Sequence, residues 1–300
     1  MLWRLPEVTL APDVIFYIGP LPVTNTLLCT WISIIILVAF FYFGSRRQEM
    51  IPRGIQNLAE YAVESLLSLV EGVAGKEKGK KFFPLVATFF IFILVSNLLD
   101  VIPGVDTVGQ INTQILKTHP GSQPVLGFLL FGDISNAVIP WIRPATSDLN
   151  LTFAMAIVSV VTCQVFGFST LGAKEHLSKF FNFRSLLKFN FEGIIEFFVG
   201  LLEVVSEIAR IISFAFRLFG NIFAGSVVLA VFAFILPFAA DVIFIPFELF
   251  VAFVQALVFS LLTLVFLQIS TSSHEQHGEH EEEAEAEYER REQEATAMGR

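Results

Sequence analysis

Three largely apolar stretches, residues 24–44, 82–102 and 149–172, are each long enough to cross a bilayer. Two further apolar patterns, 190–235 and 238–271, are longer still. Only 16% of the 300 residues are charged and 54% are hydrophobic, against about 25% charged in an ordinary soluble domain. The chain is therefore expected to be an all-α integral membrane protein with about five to six membrane helices. Residues 52–74 repeat apolar positions three and four apart with acids between them. This is the pattern of an amphipathic helix on a membrane surface, and the basic run KEKGKK follows it.

The expected organisation is an outer N-terminal segment (1–23), a membrane domain (24–272) and an acidic tail (273–300). The net charge of −9 is concentrated in that tail, so nothing in the remainder points to nucleic acid. His274, His277 and His280 stand three apart there, but many acids surround them and no buried fourth ligand is evident. A solvated, disordered or loosely helical tail is the preferred reading over a metal site. Cys29 and Cys163 read as small buried residues, not as a disulfide. Residues 1–16 have no basic region leading into an apolar core, so no signal peptide is expected. Residues 103–148 are rich in Gly, Pro and Asp, and their one apolar patch, VLGFLLF, is too short to span.

Lysine and arginine set the orientation. The connection between the first two spans holds Arg46, Arg47, Arg53, Lys76, Lys78, Lys80 and Lys81, and the 173–188 loop holds four more, whereas 103–148 holds only Lys117 and Arg143. The positive-inside rule then places the N-terminus and 103–148 outside. The tail is assigned to the cytoplasm.

The fourth apolar pattern carries a polar stripe. At about 100° per residue, Glu192, Glu196, Glu203, Glu207, Arg210, Arg217 and Asn221 all fall within about 40° of one line. Each charge in hydrocarbon costs roughly 2.5–3.5 kcal/mol on an insertion scale, so such alignment implies an aqueous path, a partner, or both. The helix would be roughly 65 Å long, about twice the hydrocarbon thickness. It must tilt steeply or break near Gly200 or Gly220, and the unbroken phase of the stripe favours tilt. The last two helices are expected to be long, steeply tilted and to form an antiparallel hairpin through Pro237.

Arg217 stays protonated and cannot relay protons, but it can attract a carboxylate and repel cations. Ser213, Gly220 and Ala224 lie beside it on the wheel and would let another helix approach closely. Two readings stand side by side: a gate facing a mobile carboxylate, or an arginine snorkelling to the interface or paired internally with Glu207 or Asn221. On the last helix Glu248 and Gln255 are two turns apart on one face, with Thr263 near it, and Glu248 is a candidate to accept and release protons. Asn97 and Asp100 are one turn apart. Ser147, Asp148 and Asn150 open the third span, where Ser147 or Asp148 would also serve as a helix N-cap.

The segment SFAFRLFGNIFAG (213–225) resembles the signature of the a subunit in the membrane sector of rotary F-type ATP synthases. The similarity continues, in order, through SNLLDVIPG (96–104), PATSDLNLTFAMA (144–156) and FVQALVFSLLTLVFL (253–267). The resemblance implies a stator beside a rotating c-subunit ring, with proton or Na+ passage through two offset half-channels. It also implies b-type peripheral stalk subunits, the remainder of the synthase and the lipid bilayer as partners. By this resemblance Arg217 is the essential arginine, Asn221 and Gln255 are its polar neighbours, and Glu203 belongs to the inner half-channel. Asn97, Asp100, Asp148 and Asn150 would line the outer one. Where the best-known bacterial members have a carboxylate after the glycine and a histidine seven residues before the glutamine, this chain has Ser226 and Glu248. The acid is displaced to the facing helix, which preserves a relay if the two positions are neighbours.

No Walker-type glycine loop is present, so the expectation is a non-catalytic subunit with no cofactor or metal. The implied location is a bacterial cell (inner) membrane, multi-pass, or alternatively an organellar energy-transducing membrane. The rival readings are a secondary ion transporter, which requires paired broken helices, and a non-conducting membrane scaffold.

Overall fold

The computed structural model describes residues 11–46, 54–102, 109–111, 123–125, 129–131, 138–172, 191–235 and 239–271. The tail with its three histidines, the 173–188 loop, Pro237 and the amphipathic pattern's first residues lie outside them. The side chains of Asp100, Glu192 and Glu196 do so too.

Within the described residues a hairpin, β1 (Val14–Ile18) and β2 (Leu21–Thr24), runs directly into helix α1, Asn25–Ser45. Thr24 caps α1, its hydroxyl accepting the Leu27 amide at 3.3 Å and satisfying one of the helix's unpaired first-turn donors. Short strand pairs also join Gly109–Ile111 to Val138–Pro140 and Gln123–Val125 to Leu129–Phe131. The latter pair holds the end of the short apolar patch.

Helix α2 covers Ile55–Val101 and is interrupted at Gly75, where φ is 78° and ψ is 162°. The amphipathic pattern and the second span are thus two helices meeting at one glycine. The second begins at the basic run, ahead of the apolar stretch at 82. Lys and Glu are good helix formers, so 76–81 extends the helix where its charge pattern had suggested a connector.

Helix α3 is Leu149–Leu171, α4 is Phe191–Ile235 and α5 is Ala239–Ser270. Helix α4 continues through both Gly200 and Gly220. Among the described residues, four segments are by length and composition able to cross a membrane: Asn25–Ser45, Ile55–Leu99, Leu149–Thr170 and Phe244–Ser270. Apolar side chains on their outer faces remain uncovered, Ile35 and Val38 at 66% and 64% exposure, as expected where lipid is the solvent.

The chain divides into two compact units, Met1–Val160 with Glu207–Leu264, and Val161–Ser206 with Val265–Arg300. The first is held by rings and small polar bridges. Phe259, fully buried, meets Phe89 edge-on at 5.3 Å and Phe214 at 5.2 Å, tying α2, α4 and α5 together. Phe90 meets Phe253 and Phe153 meets Phe216 in the same edge-on manner. Ser159 and Thr263 share a buried hydroxyl bond of 2.9 Å between α3 and α5. Such packing and hydrogen bonds are what hold helices together when lipid removes the hydrophobic drive between them. The second unit holds the later turns of α3, the first of α4 and the last of α5. Cys29 and Cys163, one in each unit, are both buried, and neither forms a disulfide.

Candidate functional site

Helices α4 and α5 are bridged by one amide pair. The Asn221 amide Nδ2 donates to Gln255 Oε1 at 2.6 Å. Gln255 is only 3% exposed, and its own Nε2 has no partner among the described residues. An unsatisfied buried donor is costly, so this one is a strong site for water or a polar group. Seven residues earlier on α5, Glu248 turns its carboxylate toward α4. A Cβ placed on Gly225 would stand 3.7 Å from Glu248 Oε1. Between these groups lies a cavity of about 400 Å³, lined by Asn97, Asn221, Ala224, Gly225, Glu248 and Gln255 together with apolar side chains. Five of the sequence candidates, Asn97, Asn221, Ala224, Glu248 and Gln255, therefore share one space.

Ser226 is next to this wall but outside it; its hydroxyl donates to the Phe223 carbonyl at 2.9 Å. The Glu248 carboxylate meets α4 within one residue of Ser226, at Gly225.

Arg217 sits one turn before Asn221 and is half-buried, also outside the cavity wall. Phe214, Ala215 and Leu218 beside it are buried and anchor that face of α4 in the core. Ser213 and Ala224 are exposed and Gly220 is half-buried. Both internal partners considered for Arg217 are engaged elsewhere. Glu207 binds Arg210 at 2.8 and 3.0 Å, and Asn221 binds Gln255. Among the described residues Arg217 makes no hydrogen bond or ion pair. The internal ion-pair alternative does not hold there.

Asn97 joins the cavity to a second polar cluster. It is 1% exposed; its Oδ1 accepts from the Thr146 hydroxyl, while Nδ2 has no partner among the described residues. Asp148 is the N-cap of α3, Oδ1 accepting the Asn150 amide at 2.9 Å. Its Oδ2 accepts from the Thr26 hydroxyl at 3.0 Å, and Thr24 and Thr26 share a further bond of 3.0 Å. Asn150 itself is exposed. The sequence reading missed Thr24, Thr26 and Thr146. The TNT run that opens the first apolar span was the available signal, but the partner of Thr26 lies 122 residues away. Glu203 belongs to the other unit and is exposed on α4.

The arrangement sets one carboxylate, Glu248, and several amide and hydroxyl groups near Arg217, a cation with no hydrogen bond or ion pair among the described residues. The sequence model of the family described as ATP synthase A chain matches residues 27–268. The chain belongs to that family. "ATP synthase subunit a" of Moorella thermoacetica is 30% identical over 256 residues, covering 85% of this chain and 94% of that protein. The subunit a of Ehrlichia canis is 31% identical over 261 residues (84% and 89% covered). That of Gloeobacter violaceus is 27% identical over 261 (87% and 89%). As a member of the ATP synthase A chain family, the chain is a multi-pass membrane protein and a part of the ATP synthase complex.

Proposed function

We propose that this chain is the stator that couples ion translocation to rotation of a c-subunit ring, with Arg217 as the gate. The observation that carries the proposal is a half-buried guanidinium that has no internal partner among the described residues, on a face of small residues, beside a largely apolar cavity into which Asn97, Asn221, Glu248 and Gln255 bring polar groups. A cation so placed attracts a carboxylate that has lost its proton and repels ions that would leak past it.

In the direction of synthesis, protons enter from outside by way of Asp100, Asp148, Asn150 and Asn97 into the cavity. Glu248 passes a proton to a ring carboxylate, and Ser226 and Gln255 border the transfer. The neutral carboxyl can enter lipid, whereas the charged one cannot without a large penalty. After nearly a full turn it releases its proton to the inner path, to which Glu203 is assigned. The ionised carboxylate then returns past Arg217, one turn from the Asn221–Gln255 bridge. The b-type stalk holds this chain against the torque. The location proposed is a bacterial cell membrane.

Cysteines introduced at Ser213 or Ala224 test the rotor-facing assignment in the assembled complex. Short cross-linkers should capture a c-type helix; capture only of other segments of this chain contradicts it.

A further inference from the structure

The geometry points to Glu207 and Arg210 as an electrostatic lock that prevents a second arginine from competing with Arg217 for the ring carboxylate. This rests on the assignment of Arg217 as the gate and extends it. Arg210 precedes Arg217 by seven residues, roughly two turns and about 10 Å along α4, and only about 20° around it. Two bare guanidinium groups on one track would offer a passing carboxylate two stations of equal charge. The structure distinguishes them. Arg210 Nη1 donates to both oxygens of the Glu207 carboxylate, at 2.8 and 3.0 Å, with the side chains only 16% and 15% exposed. A charge-assisted pair of this kind is strong in partly buried surroundings, and its net charge is zero. Arg217 makes no such bond among the described residues. One net positive charge is therefore presented where the helix carries two arginines.

Stability alone is a poor reason for the pair. Two well-packed apolar residues usually serve a buried position as well as an ion pair does, since the desolvation of both charges offsets their attraction. Specificity accounts for it better: Glu207 permits a cation at 210 without giving the ring carboxylate a second place to stop. Glu207 and Arg210 are positioning residues.

The test compares Glu207→Gln, Arg210→Gln and the double variant in the complete complex reconstituted in vesicles, with activity normalised to assembled complex. Glu207→Gln should lower proton-driven ATP synthesis about tenfold or more, Arg210→Gln by about twofold at most, and the double variant should return to within about threefold of the parent. A second readout is the rate at which a carbodiimide modifies the ring carboxyl, since the reagent needs the protonated form. That rate should fall severalfold in Glu207→Gln, where Arg210 holds the carboxylate ionised, and recover in the double variant. A purely structural pair would change the amount of assembled complex and leave that rate unmoved. Parent-like synthesis in Glu207→Gln, or a double variant as slow as the single one, overturns the lock. Should Arg217→Ala still synthesise ATP, the gate itself falls; with that variant inactive and no rescue in the double, only the lock does.

Discussion

Glu248 illustrates how one side chain acquires a role from its surroundings. On α5 it is an acid flanked by apolar neighbours, and its carboxylate lies against Gly225 and borders the cavity that Asn97 and Gln255 also line. Glu248→Gln keeps the shape and removes the exchangeable proton. It should slow proton flow through the complex and flatten its pH dependence, while Ser226→Glu in the same background should restore part of the flow. An unchanged pH–rate profile in Glu248→Gln removes this residue from the relay. The seven-residue spacing put Glu248 and Gln255 on one face, because helical periodicity is a local property. The bridge from Asn221 to Gln255, 34 residues away, and that from Thr26 to Asp148 depend on which helices are neighbours, which no local pattern encodes. The state of Arg217 was open for the same reason: its two internal suitors had to be located before they could be dismissed.

Among the elements, the longest helix and the sharpest break are the informative ones. At 1.5 Å per residue the 45 residues of α4 make a helix of about 68 Å, against about 30 Å of hydrocarbon. Continuity through Gly200 and Gly220 leaves steep tilt as the way to keep its apolar residues in lipid, and α4 lacks the break that a midplane transporter would place in such a helix. Gly75 has the opposite character. Its φ of 78° and ψ of 162° fall in a region that side-chain-bearing residues avoid, while a Cβ there would touch nothing within 4 Å. Gly75→Ala should therefore destabilise the subunit by about 1–3 kcal/mol through backbone strain alone. Gly72→Ala, in a helical turn with equal space around it, should be neutral or slightly stabilising. Thermal unfolding of the detergent-solubilised complex compares them; equal losses from both would refute the strain account. Apolar runs revealed the membrane helices because bilayer thickness sets their length. The charged segment 76–81 was harder to assign, since lysines serve equally well on a surface connector and on a helix entering the headgroup region.

At the scale of the whole molecule, orientation follows from the uneven distribution of lysine and arginine. Trp141, exposed at the end of a short strand in the 103–148 segment, should face outward. A cysteine in its place should react with a membrane-impermeant maleimide added outside right-side-out vesicles, and one at Lys78 only when the inner face is accessible. The reverse pattern would invert the assigned entry and exit of the ion path. Family membership places the chain in the ATP synthase complex. Whether Arg217 governs passage within it is decided by function. In vesicles carrying the reconstituted complex, a transmembrane proton gradient should drive ATP synthesis in the parent. Arg217→Ala should leave assembly intact and reduce that synthesis to background; normal synthesis by the assembled variant would contradict the gate.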